Sequence, residues 1–277
     1  MTNKTTKASK TNVLMPLVII LSVLLVGVSF GAGAVWTKLH LGDKTKTPIQ
    51  TDQIAEQQPP AVEPVATTDI EKSEKPNVEL FVMSHCPYGT QIEKGVLPVV
   101  KALGNKIDFE LKFVSYAMHG EKELTEQLQQ YCIQKEEPSK LLTYLECFLE
   151  ADDSAGCRTK TGIDQSKMSA CVTAADKEYN VMEKFADKST WLNGRYPLFD
   201  VHKVENEKYG VRGSPALVIN GQQVSNVGRS PASLLVAICG VFETQPTECN
   251  TTLASDTPAP GFGSGTTDNN ATADCGE

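Results

Sequence analysis

One cysteine in this sequence has the local surroundings that chemistry at sulfur requires. Cys86 follows an apolar run, Leu80 to Met83, and precedes Pro87, after which apolar residues recur at helical spacing. This pattern predicts a buried strand that leads directly into a helix, with the cysteine at the junction. The unpaired N–H groups and positive dipole of a helix start stabilise a thiolate, which is the nucleophilic form of cysteine. We therefore predict that Cys86 is a reactive thiol.

The overall composition narrows the class of protein. The chain has 277 residues, a formal charge of -8 and a pI near 5.2, which argues against nucleic-acid binding. Eight cysteines are many for a reduced cytosolic protein, yet no two have C-x-x-C spacing, and the four histidines form no ligand spacing with them. These features favour disulfides in an oxidising compartment and predict neither a metal site nor a cofactor.

The N-terminal region predicts a membrane anchor. Residues 1–12 are polar, and residues 13–36 then run without a charge for long enough to cross a bilayer as a helix. The alternative is a cleaved signal peptide with a site at Ala32-Gly33-Ala34. The length of the apolar run and an interfacial Trp36 favour an uncleaved transmembrane anchor. We expect residues 1–12 in the cytoplasm and, because of the cysteines, the folded domain on the extracytoplasmic side of the membrane.

The rest of the chain divides by composition into three parts. Residues 37–76 are rich in Thr, Gln, Pro and acids, which predicts a disordered tether. Residues 77–252 carry the periodic apolar patterns of a folded domain. Residues 253–277 consist largely of Gly, Ser, Thr, Asp and Asn without an apolar period, which predicts a disordered C-terminal tail.

Patterns within the folded part predict an α/β domain with an inserted helical subdomain. Residues 107–114 alternate as a second strand does, and about residues 121–190 are helical. Ala216 to Ile219 then reads as a buried strand, and Asn220-Gly221 is a strong hairpin signal. A last amphipathic helix over about residues 231–241 closes the domain.

Two short motifs resemble those of one superfamily. Ser84-His85-Cys86-Pro87-Tyr88 resembles the active-site turn of glutaredoxins and of DsbA-class disulfide oxidoreductases, and Val211-Arg-Gly-Ser-Pro215 resembles the loop that carries their cis-proline. The chain thus resembles the thioredoxin superfamily, nearer to its DsbA-like and lysosomal thiol reductase-like branches because of the helical insertion. The resemblance implies a thioredoxin-like fold, a cis Ser214–Pro215 bond, and substrate binding at Ser214 and Pro215, with Pro87 and Tyr88 shaping the surface of the site.

The active-site motif departs from the usual pattern at one position. Gly89 stands where such proteins usually carry a second cysteine, so the mixed disulfide lacks its ordinary resolving neighbour. Three routes stay open: a substrate or small thiol resolves it, as in monothiol glutaredoxins; Cys275 swings in as the resolving cysteine; or no turnover occurs. His85, if protonated, would modulate the site by favouring the Cys86 thiolate.

The remaining six cysteines fit a structural scheme. Cys239 and Cys249 would close a short loop at the end of the last helix. The four cysteines of the insertion allow three connectivities. We favour Cys147–Cys157, which joins a helix end to the next loop, together with Cys132–Cys171, which joins two helices; the alternative is that one of these cysteines serves as a resolving thiol.

We therefore expect a membrane-anchored, extracytoplasmic thiol–disulfide oxidoreductase that uses one nucleophilic cysteine, Cys86, on protein or peptide thiols and disulfides. The alternative is a redox-silent thioredoxin-like module that binds extended peptides at Pro215 and in which Cys86 is inert or a structural half-cystine.

Overall fold

The structure is a computed structural model that describes residues 70–267. Within this range the helices are α1 (Pro87–Leu103), α2 (Glu121–Glu136), α3 (Pro138–Ala151), α4 (Ser154–Thr161), α5 (Gln165–Tyr179), α6 (Val181–Ala186), α7 (Lys203–Tyr209) and α8 (Pro231–Cys239). The strands are β1 (Asn77–Val82), β2 (Asp108–Phe113), β3 (Ala216–Ile219), β4 (Gln222–Val224), β5 (Thr257–Pro258) and β6 (Thr266–Thr267).

A four-stranded sheet in the order β2-β1-β3-β4 forms the centre of the domain. The strand β1 is parallel to β2 and antiparallel to β3, and β4 closes an antiparallel hairpin with β3. All residues of β1 after Asn77 are buried, since the strand is covered on both faces and flanked on both edges. The C-terminal end of this central strand is therefore a fixed platform for the turn that follows.

The turn from β1 into α1 follows directly from the residues that build it. Cys86 is the N-cap residue, with extended backbone angles, and Pro87 occupies the first helical position. Proline suits that position because its φ is already helical and its missing N–H is not needed there. Behind the first turn, α1 buries Ile92, Val96 and Val100 and packs against α8.

The inserted helices α2–α6 form a subdomain that shares the core with the sheet. Two disulfides hold it together: Cys132–Cys171 joins α2 to α5, and Cys147–Cys157 joins α3 to α4, with Cα–Cα distances of 5.7 and 5.6 Å. A third disulfide, Cys239–Cys249, ties the end of α8 to the following loop. These are the three pairs favoured from the sequence.

The hairpin between β3 and β4 has the expected turn chemistry. Asn220 and Gly221 have φ values of 48° and 79°, and a type I′ turn requires positive φ at both central residues. The helix α7 likewise ends at Gly210, which has a φ of 68°. The core elements thus lie where the periodic patterns predict them.

The two ends of the described chain differ from the sequence prediction. At the N-terminal end, the Ser73 amide donates to the Val241 carbonyl at 3.0 Å, so the folded part begins before residue 77. At the C-terminal end, residues 253–267 are folded: β5 pairs with β6, and the Ala232 amide donates to the Ala254 carbonyl. The prediction of disorder from residue 253 fails here because main-chain hydrogen bonds, which leave no apolar period, hold this segment.

Several sequence predictions lie outside the described residues. These are the cytoplasmic N-terminus at 1–12, the transmembrane anchor at 13–36, the tether up to residue 69, and the end of the tail at 268–277, which includes Cys275. Among residues 70–267, no helix has both the length and the apolar composition that a membrane span needs.

Candidate active site

The sulfur of Cys86 is fully buried at the start of α1. Its Sγ accepts a hydrogen bond from the Gly89 amide at 3.4 Å, and it lies 3.5 Å from the Ser214 carbonyl oxygen. Cys86 takes part in a disulfide bond, and it belongs to none of the three disulfides between described residues. The amide at the helix start would stabilise negative charge on this sulfur whenever the disulfide opens.

The loop that carries Pro215 is locked against the nucleophile turn. The Ser214–Pro215 bond is cis, and the Ser214 hydroxyl accepts a hydrogen bond from the Met83 amide at 2.9 Å. Ser214 is fully buried and its hydroxyl is used in this contact, so its side chain is not available to a substrate. On the other side of the loop, the Tyr116 hydroxyl donates to the Arg212 carbonyl at 2.8 Å.

Gly89 packs closely against Ser214 of the proline loop and against Met83, which precedes the active-site turn. A Cβ atom at this position would lie 2.8 Å from Ser214 Oγ and 3.0 Å from the Met83 carbonyl oxygen. Both distances are shorter than normal contacts, and the second involves fixed backbone. The packing therefore leaves no ready space for the cysteine that a dithiol motif would place here.

His85 points into the protein and not into solvent. Its ring is in edge contact with Phe148 and Phe262, with centroid distances of 5.6 Å to each, and Nδ1 lies 3.1 Å from the Ser84 hydroxyl. Burial, with Lys122 nearby, lowers the pKa of His85, and the opposing effects of Glu123 and Asp152 are smaller. The cationic His85 considered from the sequence is thus disfavoured at neutral pH.

Glu123 is a residue of the site that sequence reasoning missed. Its fully buried carboxylate accepts hydrogen bonds from the amides of His85, Met118 and His119, at 3.1, 2.7 and 3.0 Å. Burial alone would raise the pKa of Glu123, but its hydrogen bonds with His119 and the Met118 amide lower it overall. The charged side chain pins the active-site turn to α2. An acidic residue in the first turn of α2 is typical of a helix start. It does not predict that the Glu123 carboxylate binds the His85 amide.

Tyr88 and Pro87 form the outer surface of the site. Pro87 is exposed and Tyr88 is half-buried, and the guanidinium of Arg229 lies over the Tyr88 ring at 5.2 Å. The structure thus brings five of the predicted site residues to one place: Cys86, Pro87 and Tyr88 on the turn, with Ser214 and Pro215 opposite.

A segment of the C-terminal tail crosses this site, and we name residues 254–265 the strap. The Gly261 amide donates to the Pro87 carbonyl at 2.9 Å, one residue from Cys86. The Gln91 side-chain amide donates to the Pro258 carbonyl at 2.7 Å, and Phe262 packs on His85 and on Phe148. No sequence pattern indicates this contact, because the strap's own residues are mostly small and polar.

One lysine of α1 makes three hydrogen bonds to the strap. Lys94 Nζ donates to the carbonyl oxygens of Ala259, Gly261 and Gly263, at 2.6, 2.9 and 3.0 Å. Its partial burial lowers the pKa of Lys94, against an opposing effect of Glu150. An ammonium group has three N–H donors, and all three have a carbonyl partner here.

No metal site accompanies these residues within the described part of the chain, where no three His, Cys, Asp or Glu side chains are grouped to hold an ion. The chemical groups that the described site brings together are the Cys86 sulfur, the amides around it and the side chains that fix their positions.

Comparison with solved structures gives distant likenesses to disulfide oxidoreductases. The reduced form of the disulfide bond oxidoreductase DsbG from Mycobacterium tuberculosis is 14% identical, with a TM-score of 0.45 over 66% of this chain and 88% of its own. Oxidised DsbA from the same organism has 14% identity and a TM-score of 0.45 over 66% and 94%. MdbA, a thiol-disulfide oxidoreductase from Actinomyces oris, has 15% identity and a TM-score of 0.42 over 63% and 83%.

The chain matches no family model and no curated protein sequence. The sheet order, the position of α1 and the cis-proline loop opposite its start nevertheless define a thioredoxin-like α/β fold with inserted helices. Because a fold hosts many activities and these likenesses are distant, we base the functional proposal on the site itself.

Proposed function

We propose that this chain is a thiol–disulfide oxidoreductase that acts on protein or peptide cysteines outside the cytoplasm, tethered to the membrane by residues 13–36. One observation carries the proposal. The Cys86 sulfur is disulfide-bonded at a helix start, 3.4 Å from a backbone amide, and it faces the loop of a cis proline. A sulfur placed there leaves easily as a thiolate and attacks readily as one.

The second sulfur in our proposal is that of Cys275. Gly89 has no thiol, and its packing leaves no ready space for one. Six of the eight cysteines pair among themselves, so Cys275 is the one cysteine of the sequence that remains to pair with Cys86 within the chain. The strap supports this assignment because it brings the C-terminal chain to Pro87.

The exchange then proceeds in two steps. Because the Cys86 sulfur is fully buried, the site must first open. A substrate thiolate then attacks Cys86 Sγ, the bond to Cys275 breaks, and Cys275 leaves as a thiolate. A second substrate thiolate attacks the substrate sulfur of this mixed disulfide, and Cys86 leaves as a thiolate stabilised by the helix start. The substrate loses two electrons as its disulfide forms, and the protein gains them as two thiols. The same steps in reverse reduce a substrate disulfide.

Substrate recognition in this proposal uses the backbone beside Pro215. The Ser214 carbonyl lies 3.5 Å from the Cys86 sulfur, and the side chain of Ser214 is already used in holding the loop. An extended peptide that pairs with this backbone would place its cysteine at Cys86. Pro87 and Tyr88 form the adjoining surface.

The test measures oxidation of a reduced two-cysteine peptide by the full chain in detergent. We expect Cys86→Ser to abolish the oxidation. In Cys275→Ser the free Cys86 thiolate should attack the disulfide form of the same peptide, release one peptide thiolate and accumulate as a mixed disulfide, detected by mass spectrometry. Ser169→Ala, an exposed change on α5, is the matched control. A Cys86→Ser protein that oxidises the peptide at the wild-type rate would disprove the proposal. Peptide binding that survives Cys86→Ser, without any oxidation by the wild type, would instead establish the peptide-binding module.

A further inference from the structure

The strap is attached to three helices. On α8, the Ala232 amide donates to the Ala254 carbonyl at 3.0 Å. On α1, Lys94 binds three of its carbonyl oxygens. On α3, the Gly263 amide donates to the Leu149 carbonyl at 2.9 Å, and the Phe262 ring lies in edge contact with Phe148 at 5.2 Å. The path of the strap across the start of α1 is therefore fixed from both sides.

The contacts of Lys94 are to backbone, and they are local to the site. Lys94 lies two helical turns after Cys86, and the carbonyls it binds flank Gly261, whose amide reaches Pro87. The ion pairs among the described residues do not include Lys94, so its charge is directed at these carbonyl dipoles. By contrast, Lys101 on the same helix pairs with Glu146 at the surface.

We propose that Lys94 is a positioning residue for disulfide exchange at Cys86. By holding residues 259–263 against α1, it keeps the chain that leads to Cys275 beside the attacking sulfur. The inference rests on the proposed function, since it assumes that Cys275 is the second sulfur. It adds a role for a side chain that touches neither sulfur.

The size of the effect follows from the length of the tether. Without the strap, 26 positions separate Cys275 from its nearest covalent anchor, Cys249. With the strap and the β5–β6 pairing in place, 8 positions separate Cys275 from Thr267. Because the probability of loop closure falls with roughly the three-halves power of length, release of the whole strap would lower the effective concentration of Cys275 by about sixfold. The fixed direction of the strap would add to this factor.

The experiment measures the equilibrium of the full chain in detergent with glutathione. Two thiols of the protein and one glutathione disulfide give the protein disulfide and two glutathiones, so electrons and protons balance. We expect Lys94→Met to lower the equilibrium constant for the Cys86 disulfide by up to about sixfold, because the strap keeps its other contacts. Lys101→Met, the matched control on the same helix, should leave it unchanged. Phe262→Ala, which weakens the attachment to α3, should shift it in the same direction as Lys94→Met.

Amide hydrogen exchange of residues 259–263 separates this inference from the proposed function. Faster exchange in Lys94→Met together with the lowered equilibrium constant supports the inference. Faster exchange with an unchanged constant overturns it, while leaving Cys275 as the second sulfur. If the wild-type chain forms no Cys86–Cys275 disulfide in any glutathione buffer, the proposed pairing itself is wrong and the inference is overturned with it.

Discussion

A buried carboxyl on the active-site helix should make the stability of this protein fall as pH rises. Glu93 lies on α1 with 1% of its surface exposed, and neither of its carboxyl oxygens has a hydrogen-bond partner among the described residues. Burial, with Glu126 nearby, raises the pKa of Glu93 from 4.5 to about 8. The group is therefore protonated in the folded chain at neutral pH and ionised in the unfolded chain.

The direction of the effect follows from proton binding. Below pH 4.5 the carboxyl is protonated in both states and adds no pH dependence. Between pH 4.5 and about 8 the folded chain binds more protons than the unfolded chain, so the free energy of unfolding decreases as pH rises. At about 1.4 kcal/mol per pH unit, the loss by pH 8 is on the order of 4 kcal/mol.

The Glu93→Gln variant removes this titration with little change of shape. Glutamine resembles the protonated carboxyl and stays neutral, so the variant should match the wild type at pH 4.5. At pH 8 it should be more stable by on the order of 4 kcal/mol. Urea denaturation followed by circular dichroism, at several pH values and with disulfides intact, measures the difference. Glu146→Gln, at an exposed position on α3, is the control. An advantage of Glu93→Gln that does not change with pH would refute the reasoning.

Three further predictions concern the site and its supports. Gly89→Cys restores the dithiol spacing but should lower the free energy of unfolding by about 1–3 kcal/mol. Gly89→Ala should lower it by a similar amount, because the clash with Ser214 arises at Cβ. Urea denaturation measures both variants, and an unchanged midpoint would contradict the prediction. His85→Gln should leave unchanged the pH profile of Cys86 alkylation in the reduced protein, because burial lowers the pKa of His85; a shifted midpoint would show that its charge matters. Tyr144→Phe, which removes a 2.8 Å hydrogen bond to the buried Glu126, should cost about 1–2 kcal/mol in thermal unfolding, and an unaltered Tm would argue that this bond contributes nothing.

The sheet and its helices could be predicted from the sequence because their cores repeat apolar residues at regular spacing. The run before Cys86, the alternation that forms β2 and the Asn220-Gly221 turn are each local signals. The site turn and the proline loop could be placed opposite each other only through resemblance to a known superfamily. Nothing local to Ser214 indicates that its hydroxyl binds the Met83 amide, a contact between residues 131 positions apart.

Other features could not be predicted because they depend on tertiary contacts. An acidic residue on a helix usually faces solvent, yet Glu93 faces inward. Glu123 binds the His85 amide of the active-site turn and two amides of the loop before α2. His85 belongs to a turn, yet its ring lies between two aromatic rings. The strap could not be predicted for a related reason: disorder predicted from composition assumes that a segment must bury its own apolar side chains, whereas Lys94 holds this one by its carbonyls.

The way the strap is held has a consequence for how this protein can change over evolution. Main-chain carbonyl oxygens are present at every position, and main-chain amides at every position except proline. Most strap side chains can therefore be exchanged without losing the contacts of these carbonyls to Lys94 and Gln91 or of the Gly261 amide to the Pro87 carbonyl. Restricted positions include Phe262, by its ring contacts, and Gly261, Gly263 and Gly265, by φ values of 79°, 87° and 147°. Orthologues should therefore keep a lysine on α1 and a Gly-Phe-Gly triplet near the C-terminus within tails that otherwise diverge. Comparison of such sequences would show that the lysine on α1 and the Gly-Phe-Gly triplet coevolve although they are far apart in sequence. The C-terminal segment as a whole would not be conserved.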